Sequence, residues 1–79
     1  MKWIKLQKAM EQAKEINATL KARDFHNKVV KIAHGDGSKF EFKYAFMKEI
    51  IVEDEKFICV FSEHHGVWTW HIEDLEKWD

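Results

Sequence analysis

Phe57-Ile-Cys-Val-Phe-Ser-Glu-His-His-Gly-Val-Trp-Thr-Trp-His-Ile72 is the stretch whose reading decides the fold. Aromatic and β-branched residues fill both halves and a polar run ending in glycine divides them, the pattern of two antiparallel strands about a turn. A four-residue loop, Glu63-His64-His65-Gly66, would pair Ser62 with Val67. Phe61 would then face Trp68, Cys59 would face Trp70 and Phe57 would face Ile72 on one side of the sheet. The other side, with Val60 against Thr69 and Ile58 against His71, is still half apolar and needs cover of its own.

Upstream, Lys28-Val-Val-Lys-Ile-Ala-His34 and Lys39-Phe-Glu-Phe-Lys-Tyr-Ala-Phe46 flank Gly35-Asp36-Gly37-Ser38, a strong turn signal. A two-residue Asp-Gly loop would set Phe40 against Ala33 and Phe42 against Lys31. A three-residue Gly-Asp-Gly loop with Gly37 left-handed sets Phe40 against Ile32 and Phe42 against Val30, and the apolar cross-strand pairs favour it. Met47 to Lys56 continues the sheet, with a turn at Asp54-Glu55 that pairs Val52 with Phe57, Ile50 with Cys59 and Ile51 with Ile58. Strands are thus expected at about 28–34, 39–46, 48–53, 56–62 and 67–72.

Before the sheet, Trp3, Leu6, Met10, Ala13, Ile16 and Leu20 recur at three- and four-residue intervals without Pro or Gly, predicting an amphipathic helix over about residues 3–22. The same positions form a short heptad, with Trp3, Met10 and Asn17 in one seam register, although a helix lying on a sheet is the simpler reading. Ile72, Leu75 and Trp78 suit a short helical turn over about 73–78. The expected class is α+β in one domain, residues 1–79. It has an amino-terminal amphipathic helix, a four- to five-stranded antiparallel sheet and a short carboxyl-terminal helical turn. A helix followed by short, bent strands around a Gly-Asp-Gly turn resembles the small SH3-like or Sm-like barrels in element order, and the resemblance implies closure of the sheet. An open sheet carrying the helix on one face is the alternative, and it leaves Ile50, Ile51, Ile58 and Val60 partly uncovered.

A chain of 79 residues supports one core, and a core of that size yields only about 3–5 kcal/mol of net stability, so an extra source of stability is expected. Neither a disulfide nor a Cys/His zinc spacing supplies it, because Cys59 is the only cysteine. Four Trp, six Phe and one Tyr do, each ring burying a large apolar area. No apolar run is long enough to span a membrane, lysine interrupts the start too regularly for a signal peptide, and the free thiol suits a reducing compartment. A cytoplasmic chain without a membrane partner is expected. Charge is divided: residues 1–31 carry eight Lys/Arg against three acids (+5), residues 32–52 balance at three each, and residues 53–79 carry two against eight (−6), which totals the net −1.

Motifs that carry chemistry are few. The Gly-x-Gly of residues 35–37 is hairpin chemistry, since no helix follows it. Glu53-Asp54-Glu55 lacks calcium-loop spacing. Cys59, set among aromatics, reads as a small core residue and not as a nucleophile. His65 and His71 with Glu63 are the members of a His-based metal site, weighed against solvated turn histidines. No catalytic residue, cofactor or metal is therefore expected. The leading reading is a small non-catalytic protein-interaction module, acting as a homo-oligomer such as a homodimer or as a regulator or inhibitor of a larger partner, in the manner of phage and mobile-element proteins. Its expected contact residues are Glu63, His64, His65 and Trp68 at the hairpin tip with Glu73 and Asp74 nearby, their acids steering a basic partner surface. The alternative is nucleic-acid binding by a basic helix using Lys2, Lys5, Lys8, Lys14 and Lys21.

Overall fold

Two glycines, Gly37 and Gly66, occupy the left-handed region, each at the close of a hairpin turn. The computed structural model describes residues 2–78. Helix α1 (Lys2–Ala18) and the single-turn α2 (Ala22–Phe25) precede strands β1 (Val29–His34), β2 (Lys39–Lys43), β3 (Ala45–Val52), β4 (Glu55–Ser62) and β5 (Gly66–His71). A 3-10 turn (Ile72–Asp74) and a two-residue strand β6 (Leu75–Glu76) follow. The class is α+β, as expected, but the described strands number six and form two three-stranded antiparallel sheets, ordered β2-β1-β6 and β3-β4-β5. They do not form a closed barrel. The break falls at Tyr44, whose φ of 54° ends β2 and redirects the chain into β3. The expected carboxyl-terminal helix shrinks to the 3-10 turn, because the Gly35 N–H donates to the Asp74 carbonyl (2.8 Å) and β6 pairs with β1.

The Gly-Asp-Gly hairpin has the expected register, Ile32 against Phe40 and Val30 against Phe42, with Gly37 at φ 96°. The central hairpin differs by one residue. Gly66, at φ 76°, is the first residue of β5 and pairs with Ser62, so the loop is three residues long and Trp68 opposes Val60, Trp70 opposes Ile58 and Thr69 opposes Cys59. The Ser62 hydroxyl accepts the His65 N–H (3.1 Å), which holds the tight loop. A one-residue slip moves every side chain to the other face. Both tryptophans therefore leave the Phe57, Cys59 and Phe61 side and join Ile58 and Val60. The β3–β4 turn differs by two residues: Glu53 and Asp54, both at positive φ (48° and 68°), form the two-residue loop, and Ile50 opposes Phe57. That shift changes partners but keeps faces.

The central sheet is consequently a shared wall. On one side Ile50, Val52, Phe57, Cys59 and Phe61 pack with Ala9 and Ala13 of α1 and Phe25 of α2. On the other, Val60 and Ala45 pack with Val30, Ile32 and Phe42 of the first sheet, flanked by Ile58, Trp70 and Leu75. Phe57, Val60 and Phe61 are fully buried, and such burial contributes about 1.5–3 kcal/mol per side chain. The helix presents small residues at its closest approach, and Trp3 (61% exposed) and Met10 (41%) point away from the sheet. α1 also ends four residues before the expected boundary. The Thr19 hydroxyl and N–H both bond the Ile16 carbonyl (2.7 and 3.0 Å), which tightens the last turn, and Asp24 then accepts the Lys21 N–H (2.8 Å) to start α2.

Candidate functional site

β2 and β5 are the facing edges of the two sheets, and each carries two aromatic residues at i and i+2, which places the rings of a pair on the same face. Phe40 and Phe42 stack at 6.5 Å between centroids and Trp68 and Trp70 at 6.1 Å with an 18° interplanar angle. The two pairs meet: Phe42 lies 6.0 Å from Trp68 and Phe40 lies 6.0 Å from Trp70. Aromatic contacts of this kind contribute about 0.5–1.5 kcal/mol each beyond area burial. Phe42 is buried, whereas Phe40 is 36% and Trp68 44% exposed, so the cluster roots in the core and opens to solvent.

Trp68 is held from behind. Its indole Nε1–H donates to the His65 carbonyl at 3.0 Å, within its own hairpin. The His65 ring meets Phe42 edge-on at 6.2 Å, and His64 meets Tyr44 edge-on at 5.6 Å. Lys39, Phe40, Glu41, Phe42, His65 and Trp68 line an open cleft of about 320 Å³. The hairpin tip thus brings together Glu63, His64, His65 and Trp68, with Glu63 3.5 Å from the His64 ring. It does not bring Glu73 and Asp74 to them: these lie at the other end of β5, in the 3-10 turn against Gly35. Phe40, Phe42 and Tyr44 are the members that sequence reasoning did not assign to the site.

Comparison with family models, with curated proteins and with solved structures finds no match to this chain.

The lysines expected to form a basic helix are not one stripe. Lys5 and Lys14 are nine residues apart, or about 180° around the helix axis. Lys8 is paired with Glu53 at 3.1 Å, Lys21 lies beyond the end of α1, and the Lys2 side chain is outside the described part of the structure. Cation and ring come together elsewhere: Lys31 and Lys39 both lie over Trp78, at 5.6 and 5.4 Å from its centroid. The histidines differ from expectation too. His65 precedes the first residue of β5 and His71 is its last, so the strand separates them, and His71 is instead grouped with Glu55 and Glu73. Cys59 is fully buried, and burial pushes its thiol above the ordinary value, partly offset by its contact with the Thr69 hydroxyl (3.5 Å). No helix among the described residues is long and apolar enough to cross a membrane.

Proposed function

We propose that the protein is a small non-catalytic interaction module that binds another protein through the surface of Phe40, Phe42, His65 and Trp68, and acts as a regulator or inhibitor of that larger partner. The observation that carries the reading is Trp68 itself. It is a 44% exposed indole whose N–H is already satisfied at 3.0 Å and whose ring is fixed against Trp70. An exposed aromatic ring that is rigid before binding loses little entropy on docking, which is the character of an interface anchor. Of the acids expected to steer a basic partner, Glu63 stands beside this surface; Glu41 and Lys39 at the cleft make its rim mixed in sign. Self-association is a form of the same reading, supported by Met47 and Ile51, each 56% exposed on the edge strand β3.

A second reading, binding of single-stranded nucleic acid, is favoured by the outer face of β1 and β2. Lys31, Lys39 and Lys43 share that face with Glu41, and two of the lysines lie over Trp78. Stacking rings beside cations suit a nucleic-acid backbone and its bases. Capture from a native lysate, with and without nuclease, tests the two. Under the leading reading the partner is retained after nuclease, lost by Phe40→Ser/Trp68→Ala and kept by Lys31→Glu/Lys39→Glu; the reverse pattern transfers the function to the basic face.

A further inference from the structure

We propose that Glu55, His71 and Glu73 form a binding site for a divalent transition-metal ion of the zinc class, which ties the start of β4 to the end of β5. The three residues come together through the β4–β5 register. Phe57 opposes His71, so Glu55 sits two residues before that pair on the same face, and Glu73 follows His71 by two residues into the 3-10 turn. One carboxylate oxygen from each glutamate and one ring nitrogen of His71 lie within 4.8 Å of one another. Bond lengths of about 2.0–2.2 Å place tetrahedral ligand atoms roughly 3.4 Å apart. Small side-chain rotations therefore close the set, and one or more positions remain for water.

A second observation separates this group from an ordinary acidic surface. Glu55 Oε2 and His71 Nδ1 are both sealed from solvent and lack a hydrogen-bond partner. Buried polar atoms left unpaired cost free energy, and two in one cluster indicate a missing counterpart. The His71 ring is also oriented, lying against Phe57 at 4.8 Å between centroids. The cluster lines an open cleft of about 320 Å³ with Asp54, Lys56 and Ile72, room for an ion and its waters. One imidazole with two carboxylates selects zinc-like ions over magnesium or calcium, which favour all-oxygen sites. A metal that binds only the folded state also stabilises it.

Titration of the full chain with zinc, followed by the ring resonances of its five histidines and by the melting temperature, tests the assignment. The expected result is that His71 shifts first, at one equivalent, and that the melting temperature rises with zinc concentration. Glu55→Gln is expected to weaken zinc binding by at least about tenfold while His64→Gln/His65→Gln leaves it unchanged. Glu73→Gln, at an exposed position, provides the same test should Glu55→Gln not fold. A His71 resonance unmoved at millimolar zinc, a shift confined to His64 and His65, or full affinity in the folded glutamate variants would overturn the proposal.

Discussion

Ser62 pairs with Gly66 across the β4–β5 turn, and that one pairing sends Trp68 to the side of Val60 and away from Phe61. Everything in the aromatic surface depends on it, since only on that side do Trp68 and Trp70 reach Phe40 and Phe42 of the other sheet. Gly66 adopts φ 76°, and an added Cβ there would meet no other atom within 4 Å. Gly66→Val is therefore expected to destabilise by about 1–3 kcal/mol through backbone strain alone, and Gly66→Asn by distinctly less, because asparagine tolerates the left-handed region. Chemical denaturation of the two variants measures this; equal stability of the valine variant and the parent would refute the three-residue loop.

The β3–β4 turn is strained in the opposite sense, with side chains where glycine or asparagine is preferred. Glu53 and Asp54 both occupy positive φ. Glu53→Asn/Asp54→Gly is expected to raise stability by about 1 kcal/mol despite removal of the exposed Lys8 pair. A thermal melt lower than that of the parent would count against the two-residue turn.

Glu53 also provides a titration of the helix-to-sheet contact. The hydrogen bond and positive charge of Lys8, with a smaller contribution from Lys5, hold its carboxyl below the usual range. A lowered folded value means that the group supports the native state above the ordinary carboxylate pKa and ceases to do so as pH falls through the folded value. Lys8→Gln is expected to return the Glu53 titration towards normal in a carbon-detected NMR experiment. No change on substitution would mean that the pair is not formed in solution.

These local features show what could be read from the residues and what could not. The first hairpin was legible because only one loop length aligns Ile32 with Phe40 and Val30 with Phe42. The central hairpin was not, since Phe57, Cys59 and Phe61 alternate with Ile58, Val60 and further apolar residues, and a strand apolar on both faces does not distinguish a one-residue slip. The helix face was legible in part: Leu6, Ala13, Ile16 and Leu20 pack on the core as their spacing implies, joined by Ala9, whereas Trp3 and Met10, which the same periodicity includes, lie exposed. Trp68 was identifiable as a candidate contact, whereas Phe40 and Phe42 required the meeting of two sheets. Glu55, read as part of an acidic turn, gains meaning only from the register that sets it near His71.

Cys59 offers a test of the wall between the layers. Its thiol is buried and its pKa raised by that burial. A raised folded value gives a contribution that is complete below the unfolded thiol's pKa, about 8.5, and is lost as pH rises through the folded value. Stability is expected to fall with pH above about 8.5 in the parent and more weakly in Cys59→Ala, and a thiol reagent is expected to react with native protein only as fast as it opens. Immediate labelling of the folded protein would contradict the buried position.

The most direct measurement is the affinity of purified Trp68→Ala for the protein recovered by the parent chain, alongside its melting curve. The partly exposed ring predicts a modest loss of stability, about 1 kcal/mol, and a loss of affinity of at least about thirtyfold, the size associated with an interface anchor. Phe40→Ser is expected to act in the same direction. Unchanged affinity in both variants, with the fold intact, would contradict the assignment of this aromatic surface as the binding site.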